Sequence, residues 1–191
     1  MNELKIKHMV CDRCIMAVTG AAREAGLNVD SVSLGSVVLN EEPSGRQREA
    51  FAGRLSELGF ELAQTPVERV VEGIKNHLIQ YLGELEQAEE MQRISEYLSR
   101  RLHYNYTYLS KVFSESEGQT IEDYFIRLKI ERVKEWLGYG ELTLTQMAWK
   151  LNYSSVQYLS NQFKKHTGMT VTQYRESLQE HPDRISLDSV G

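Results

Sequence analysis

The sequence predicts an α+β protein, with a small βαββαβ half followed by an all-α half built on two helix-turn-helix units. Three observations predict it. Residues 3–64 switch between strand and helical periods in the order strand, helix, strand, strand, helix, strand. From Val67 onward the apolar spacing is helical. A phrase in that helical stretch occurs twice. Tyr108-Leu109-Ser110-x-x-Phe113 with Gly118, Thr120 and Tyr124 returns as Tyr158-Leu159-Ser160-x-x-Phe163 with Gly168, Thr170 and Tyr174, offset by 50 residues throughout. Identities at constant spacing mark an internal duplication.

In the first half, residues 3–9 alternate polar and apolar, as a half-buried strand does. Cys11-Asp12-Arg13-Cys14 follows. Ile15, Val18, Ala21, Ala22 and Ala25 then keep helical spacing up to Gly26, a capping residue. Val29 to Leu34 alternates again, Gly35-Ser36 signals a turn, and Val37 to Asn40 is a third strand. Pro43-Ser44-Gly45 reads as a loop. Phe51, Leu55 and Leu58 mark a second helix closed by Gly59, and Phe60, Leu62 and Gln64 make a fourth strand ending at Pro66. Over residues 1–66 this order is the ferredoxin-like plan. With Met9-x-Cys11-x-x-Cys14 on the first loop and Leu58-Gly59-Phe60-Glu61 entering the last strand, the stretch resembles the heavy-metal-associated domain of copper chaperones and metal-transport ATPases. His8 stands where that family usually has Gly, and the hairpin between the second and third strands is short.

The second half reads as helices with explicit stops and starts. Leu98, Ser99 and Leu102 face inward on a short helix from Ile94 to Leu102. His103-Tyr104-Asn105 is a turn, and a recognition helix follows over 107–116 with Leu109 and Phe113 inward. Gly118 suits a left-handed cap, and Thr120 with Asp123 starts a connecting helix from Ile121 to Leu137. The second unit repeats this plan. Thr143 and Gln146 cap a helix over 145–151 with Met147, Ala148 and Leu151 inward. Asn152-Tyr153-Ser154-Ser155 is its turn, and Leu159, Phe163, Gly168, Thr170 and Gln173 repeat the rest. Asp is a weaker box partner than Gln, so the box at Thr120 is the weaker of the pair. Small Ser99 and Ala148 let two helices approach closely, as a helix-turn-helix requires.

Residues 67–178 thereby resemble the AraC/XylS-type DNA-binding domain, which carries two helix-turn-helix units on a connecting helix. Tyr108 to Phe113, Leu128 to Val133, Met147 to Tyr153, and Tyr158 to Lys165 with Gly168 carry the resemblance. Ser114, Asn152 and Val171 depart from it, standing where Lys, Gly and Pro are usual. The resemblance implies a domain over 67–180 and a transcriptional regulator that binds double-stranded DNA and contacts RNA polymerase; residues 181–191 have no apolar period and read as a flexible tail. Val67, Val71, Ile74, Leu78, Tyr81, Leu85 and Ala88 keep a 4-3 spacing that could seat a homodimer through the 67–88 helix. The plainer reading lays this helix on the first helix-turn-helix, as the resemblance implies.

With Leu109 and Phe113 inward, Thr107, Ser110, Lys111 and Ser114 point outward; Gln157, Ser160, Asn161 and Lys164 hold the same face of the second unit. Gln or Asn can grip adenine, Lys can reach guanine acceptors, Ser adapts to either, and Val156 can touch a thymine methyl. The bland alternative is a solvated polar face. Arg100, Arg101, Lys150, Lys164 and Lys165 are candidate phosphate contacts. Trp149 follows the small Ala148 and could face outward to pack on the neighbouring unit; a core role is expected of it before a ligand role. Two recognition helices about 34 Å apart would read boxes about ten base pairs apart. The chain carries a net charge of −5, but residues 90–180 hold 12 Lys/Arg against 11 Asp/Glu. Phosphate contact must therefore come from local placement.

Cys11 and Cys14 cannot staple a fold and admit three readings: a soft metal site for Cu(I) or Zn(II), a reversible disulfide, or a vestige. Met9 reads as a core plug, and His8 is the one histidine near the pair in sequence. No metalloprotease motif, phosphate loop or nucleophile elbow occurs, so no enzyme is expected. No membrane-spanning run and no leader pattern are visible, so a cytoplasmic location is expected. The competing reading is a metal-handling or adaptor protein whose helical half binds a protein partner.

Overall fold

The computed structural model describes residues 2–87 and 92–180. Ala88 and the expected tail from His181 lie outside them. The first half forms β1 (Asn2–Lys7), α1 (Asp12–Glu24), β2 (Val29–Ser33), β3 (Ser36–Leu39), α2 (Gly45–Glu57) and β4 (Glu61–Leu62). The strands lie in the order β2-β3-β1-β4, all pairs antiparallel, with Leu4 opposite Val37 and Ile6 opposite Leu62. Alternate residues of β1, Leu4 and Ile6, enter a core shared with Val18, Ala22, Val37, Phe51 and Leu55.

Three details of this half differ from the sequence reading. Ser44 and Gly45 are not loop. The Ser44 hydroxyl accepts from Gln47 N and the Gln47 side chain accepts from Ser44 N, so a complete capping box starts α2 there. Leu58 is 50% exposed, because it follows the last turn of α2 instead of lying on its inner face. The fourth strand stops at Leu62, because Gln64 N and Thr65 N both donate to Glu68 Oε2, at 2.8 and 2.9 Å, and so join the start of the next helix.

The helices that follow are α3 (Pro66–Leu85), α4 (Ile94–Leu102), α5 (Tyr106–Glu117), α6 (Ile121–Tyr139), α7 (Leu144–Lys150), α8 (Val156–Thr167) and α9 (Val171–Glu180). The chain divides into two compact units, one holding residues up to Ile79 with Leu98–Ser116, the other Gln80–Tyr97 with Glu117 onward. The first unit takes in the start of α3. Lys7 Nζ lies 2.6 Å from Glu68 Oε1, the turn at Gly35 abuts Asn76, and Gly73 lies so near α4 that a Cβ there would stand 2.9 Å from Leu102 Cδ2. The start of α3 is thus packed on the sheet side as well as on α4.

Val71, Ile74, Leu78, Tyr81 and Leu85 are all buried within the chain, while Val67 is 46% exposed. Most of the 4-3 stripe is therefore buried within one copy of the chain. In the second unit Ile121, Phe125, Ile130, Val133 and Leu137 line the inner face of α6. Tyr81 packs edge-on against Tyr97 at 4.9 Å and Phe125 at 5.4 Å. Tyr97 is fully buried, with its hydroxyl donating to Glu84 Oε1 at 3.0 Å.

Candidate nucleic-acid interface

The start of α5 and the start of α8 are each set by the turn before them. His103 and Asn152 take left-handed backbone, with φ of +58° and +52°. Asn105 Oδ1 accepts from Tyr108 N at 2.8 Å, and Ser155 Oγ accepts from Tyr158 N at 3.0 Å, which caps α5 and α8. The left-handed residues are 49 apart while the caps are 50 apart, so the second turn is one residue longer. Leu109 and Phe113, like Leu159 and Phe163, are fully buried. That fixes which faces of α5 and α8 look outward.

The outward faces hold the expected residues. Thr107 and Lys111 are exposed and Ser110 is half-buried on α5. Gln157, Asn161 and Lys164 are exposed, with Val156 and Ser160 half-buried, on α8. Gln157 Nε2 donates to Asn161 Oδ1 at 2.9 Å, so these two amides present one joint donor–acceptor edge. The Ser160 hydroxyl donates to Val156 O at 2.9 Å, which leaves its oxygen as an acceptor. Lys111 Nζ is only loosely held, 3.9 Å from Glu115 Oε1.

Residues 98–177 match the family model of the helix-turn-helix domain. The expectation of a helix-turn-helix half holds over this stretch. An uncharacterised HTH-type transcriptional regulator, YtdP of Bacillus subtilis, is 34% identical over 79 residues. That alignment covers 41% of this chain and 10% of the relative, so the chain spans about a tenth of that protein's length. Among solved structures, the C-terminal domain of AraT, a response regulator of Geobacillus stearothermophilus, is similar at 24% identity and a TM-score of 0.45. The likeness covers 59% of this chain and 86% of that one. The C-terminal domain of the two-component response regulator yesN of Fusobacterium nucleatum is similar at 27% identity and a TM-score of 0.44, covering 53% and 96%.

Within the helix-turn-helix stretch, the candidate phosphate contacts fare unevenly. Arg100, Arg101, Lys164 and Lys165 are exposed. Lys150 is half-buried, and its Nζ donates to Glu86 O at 3.3 Å. Trp149 is 73% exposed and has no core role. The four tyrosines around the turns receive no role from spacing alone. Tyr104 packs on Tyr108 at 5.0 Å between ring centroids, and Tyr153 on Tyr158 at 5.9 Å. The signal that could have found them is the repeat itself, since Tyr108 and Tyr158 open both copies of the phrase yet face away from the core.

Lys129 anchors the second turn. Its Nζ donates to Leu151 O at 2.6 Å and lies 4.7 Å from the Tyr153 ring centroid and 5.1 Å from that of Phe125. Burial pushes its pKa down to about 8, against the pull of those partners. Burial also raises the Tyr153 phenol.

The cysteine loop lies outside the helix-turn-helix stretch. Cys11 is the extended N-cap of α1 and Cys14 lies in its first turn. Their Sγ atoms are 3.5 Å apart, and both are half-buried free thiols. Met9 is buried and its sulfur accepts from Gly35 N at 3.3 Å, which is the behaviour of a core plug. His8 is exposed with φ +70°, a left-handed conformation that favours glycine. No group of three or more His, Cys, Asp or Glu that could hold a metal occurs among the described residues. No helix among them is long and apolar enough to cross a membrane.

Proposed function

We propose that the chain is a cytoplasmic, sequence-specific DNA-binding transcriptional regulator of AraC type. The observation that carries this is the repeated presentation of one polar face. Thr107, Ser110 and Lys111 on α5, and Gln157, Ser160, Asn161 and Lys164 on α8, occupy matching positions opposite buried Leu/Phe pairs. On this reading α5 and α8 enter the major groove, and Val156 adds an apolar contact. Contact with RNA polymerase belongs to the same reading.

The N-terminal half is read as a ferredoxin-like, heavy-metal-associated-like domain that controls the helices through metal or thiol state. Cys11 and Cys14 would supply the ligands. Soft thiolates suit Cu(I) and Zn(II), but a closed zinc site takes four ligands, so a pair alone fits Cu(I) better. What supports coupling is continuity within the first unit. The cysteine loop leads to Met9, Met9 to Gly35, Gly35 to Asn76 of α3, and Gly73 of the same helix to Leu102 before α5. A ligand shifts DNA affinity only if it prefers one packing of this series over another.

The test is selection of bound duplexes from a random DNA pool, with reduced protein, with and without Cu(I) or Zn(II). Enrichment of paired boxes supports the regulator, and a metal-dependent enrichment lost in Cys11→Ser/Cys14→Ser supports control at the loop. Enrichment blind to metal removes the control and keeps the regulator. No enrichment from folded protein moves the reading to the adaptor, which the near-balance of charge over 90–180 favours.

A further inference from the structure

We infer that Tyr108 and Tyr158 each donate a hydrogen bond to a DNA phosphate and so set the register of their recognition helices. This rests on the DNA-binding reading above. Both tyrosines occupy the third position of their helix, 50 residues apart. The two residues are 38% and 48% exposed, although buried positions on the same helices go to Leu109, Phe113, Leu159 and Phe163. Outward placement of two large rings at equivalent positions is thus built into the repeat.

Their place around the helix points to phosphate over base. Successive residues turn by about 100°, so Tyr108 lies one step round from Thr107, between the reading face and the core face, and Tyr158 lies likewise beside Gln157. A flank of a helix in the major groove faces the groove wall, where the backbone runs. The ring is also held from behind, by Tyr104 in one unit and Tyr153 in the other. At Tyr158 the phenolic oxygen already accepts from Gln162 Nε2 at 3.1 Å. Its hydrogen is left to donate, and a phosphate oxygen can only accept. Val112 stands at the position of Gln162 in the first unit, so Tyr108 lacks that neighbour. Tyrosine is among the side chains that bind phosphate without reading sequence. Such neutral donors suit a half whose charge is nearly balanced.

The test uses the full chain and a duplex that it selects, with Tyr108→Phe, Tyr158→Phe and the corresponding Ala variants checked for folding by circular dichroism. Phe keeps the ring and loses the donor. Each Phe variant should bind about five- to tenfold more weakly, on selected and unrelated duplexes alike. The slope of log affinity against log salt should stay that of the wild type, because a phenol releases no counterion. A methylphosphonate at the contacted phosphate should erase the Phe penalty. Wild-type affinity in Phe variants with loss in Ala variants would leave only a packing role for the rings and overturn the inference. Loss confined to one base substitution would make them base readers and overturn it equally. If the wild-type chain binds no duplex, the DNA reading falls together with this one; if it binds and Phe is silent, only this one falls.

Discussion

Gly35 and Asn76 meet so closely that a Cβ on the glycine would stand 1.6 Å from Asn76 Nδ2 and 2.4 Å from its Cγ. Gly35 also has φ +71°, donates its N–H to Met9 Sδ, and accepts from Ile6 N at 3.0 Å. One residue therefore joins the first strand, the core plug beside the cysteines and α3. Gly35→Ala should destabilise the protein by about 2–4 kcal/mol, combining a left-handed alanine with overpacking. Adding Asn76→Ala should recover only the overpacking share. Urea unfolding of both variants measures this; equal losses would show that Asn76 is not the obstacle.

The two turns carry a matched pair of strained residues. His103 and Asn152 hold φ of +58° and +52°, and Asn tolerates that region better than His. Glycine removes the strain but gains freedom when unfolded. His103→Gly should raise stability by up to about 1 kcal/mol, and Asn152→Gly by less. Thermal melts of the two variants give the order, and a larger gain at Asn152 would contradict it.

The helix starts were the most legible feature, because a capping box is written within four residues. Thr143 with Gln146 and Thr170 with Gln173 close complete boxes, as their sequence predicts. At Thr120 the shorter Asp123 carboxylate meets only the threonine hydroxyl, so that box is half-made, again as its sequence predicts. The identical box at Ser44 and Gln47 was hidden by flanking Pro43 and Gly45, which speak for a loop. Apolar spacing says little at the ends of helices, which is why Leu58 and Val67 are exposed against expectation while Trp149 faces outward, one of the two placements its spacing allows. The buried Tyr97 and the division of the chain within α3 depend on partners distant in sequence, such as Glu84 for the Tyr97 hydroxyl. The polar faces of α5 and α8 were legible because the buried Leu/Phe pairs fix them. The tyrosines on their flanks were not, because no period marks a flank.

Glu68 serves two masters at the start of α3. One oxygen takes the N–H groups of Gln64 and Thr65, and the other takes Lys7. The Lys7 hydrogen bond first, then the backbone bonds, hold its pKa down to about 2. A depressed carboxylate stabilises the fold above the unfolded value and loses that contribution as pH falls toward the folded one. Acid unfolding should therefore include a Glu68 component between about pH 4.5 and 2. Glu68→Gln keeps an oxygen for the cap and should flatten that component. Glu68→Ala should cost about 1 kcal/mol at neutral pH through the lost cap. Urea midpoints taken across that pH range separate the two effects.

Charge at the recognition face should show in salt dependence. Lys111 is exposed on α5 and Lys164 on α8, each on the outward face of its helix. If each neutralises a phosphate, Lys111→Met and Lys164→Met should each reduce the salt slope by about 1. Lys150→Met should leave the slope unchanged, because that ammonium is bound to Glu86 O. Fluorescence anisotropy titrations over a salt series check all three variants, and a slope change at Lys150 would reverse its assignment.

Lys129 gives the second unit its own response to alkali. Its folded pKa is about 8, below the ordinary 10.5, because it is buried. Between these values the unfolded chain binds more protons than the folded one. Stability therefore rises with pH through that window, which is opposite to the usual behaviour of a lysine gaining a carboxylate partner. Thermal midpoints should climb from about pH 8 to about pH 9.5, before tyrosine ionisation intervenes. Lys129→Met should abolish the climb while keeping the apolar stem between Phe125 and Tyr153. A climb that survives in Lys129→Met would place its origin elsewhere. A fall in the wild type over the same range would mean that the Leu151 carbonyl and the two rings outweigh burial and hold the ammonium charged.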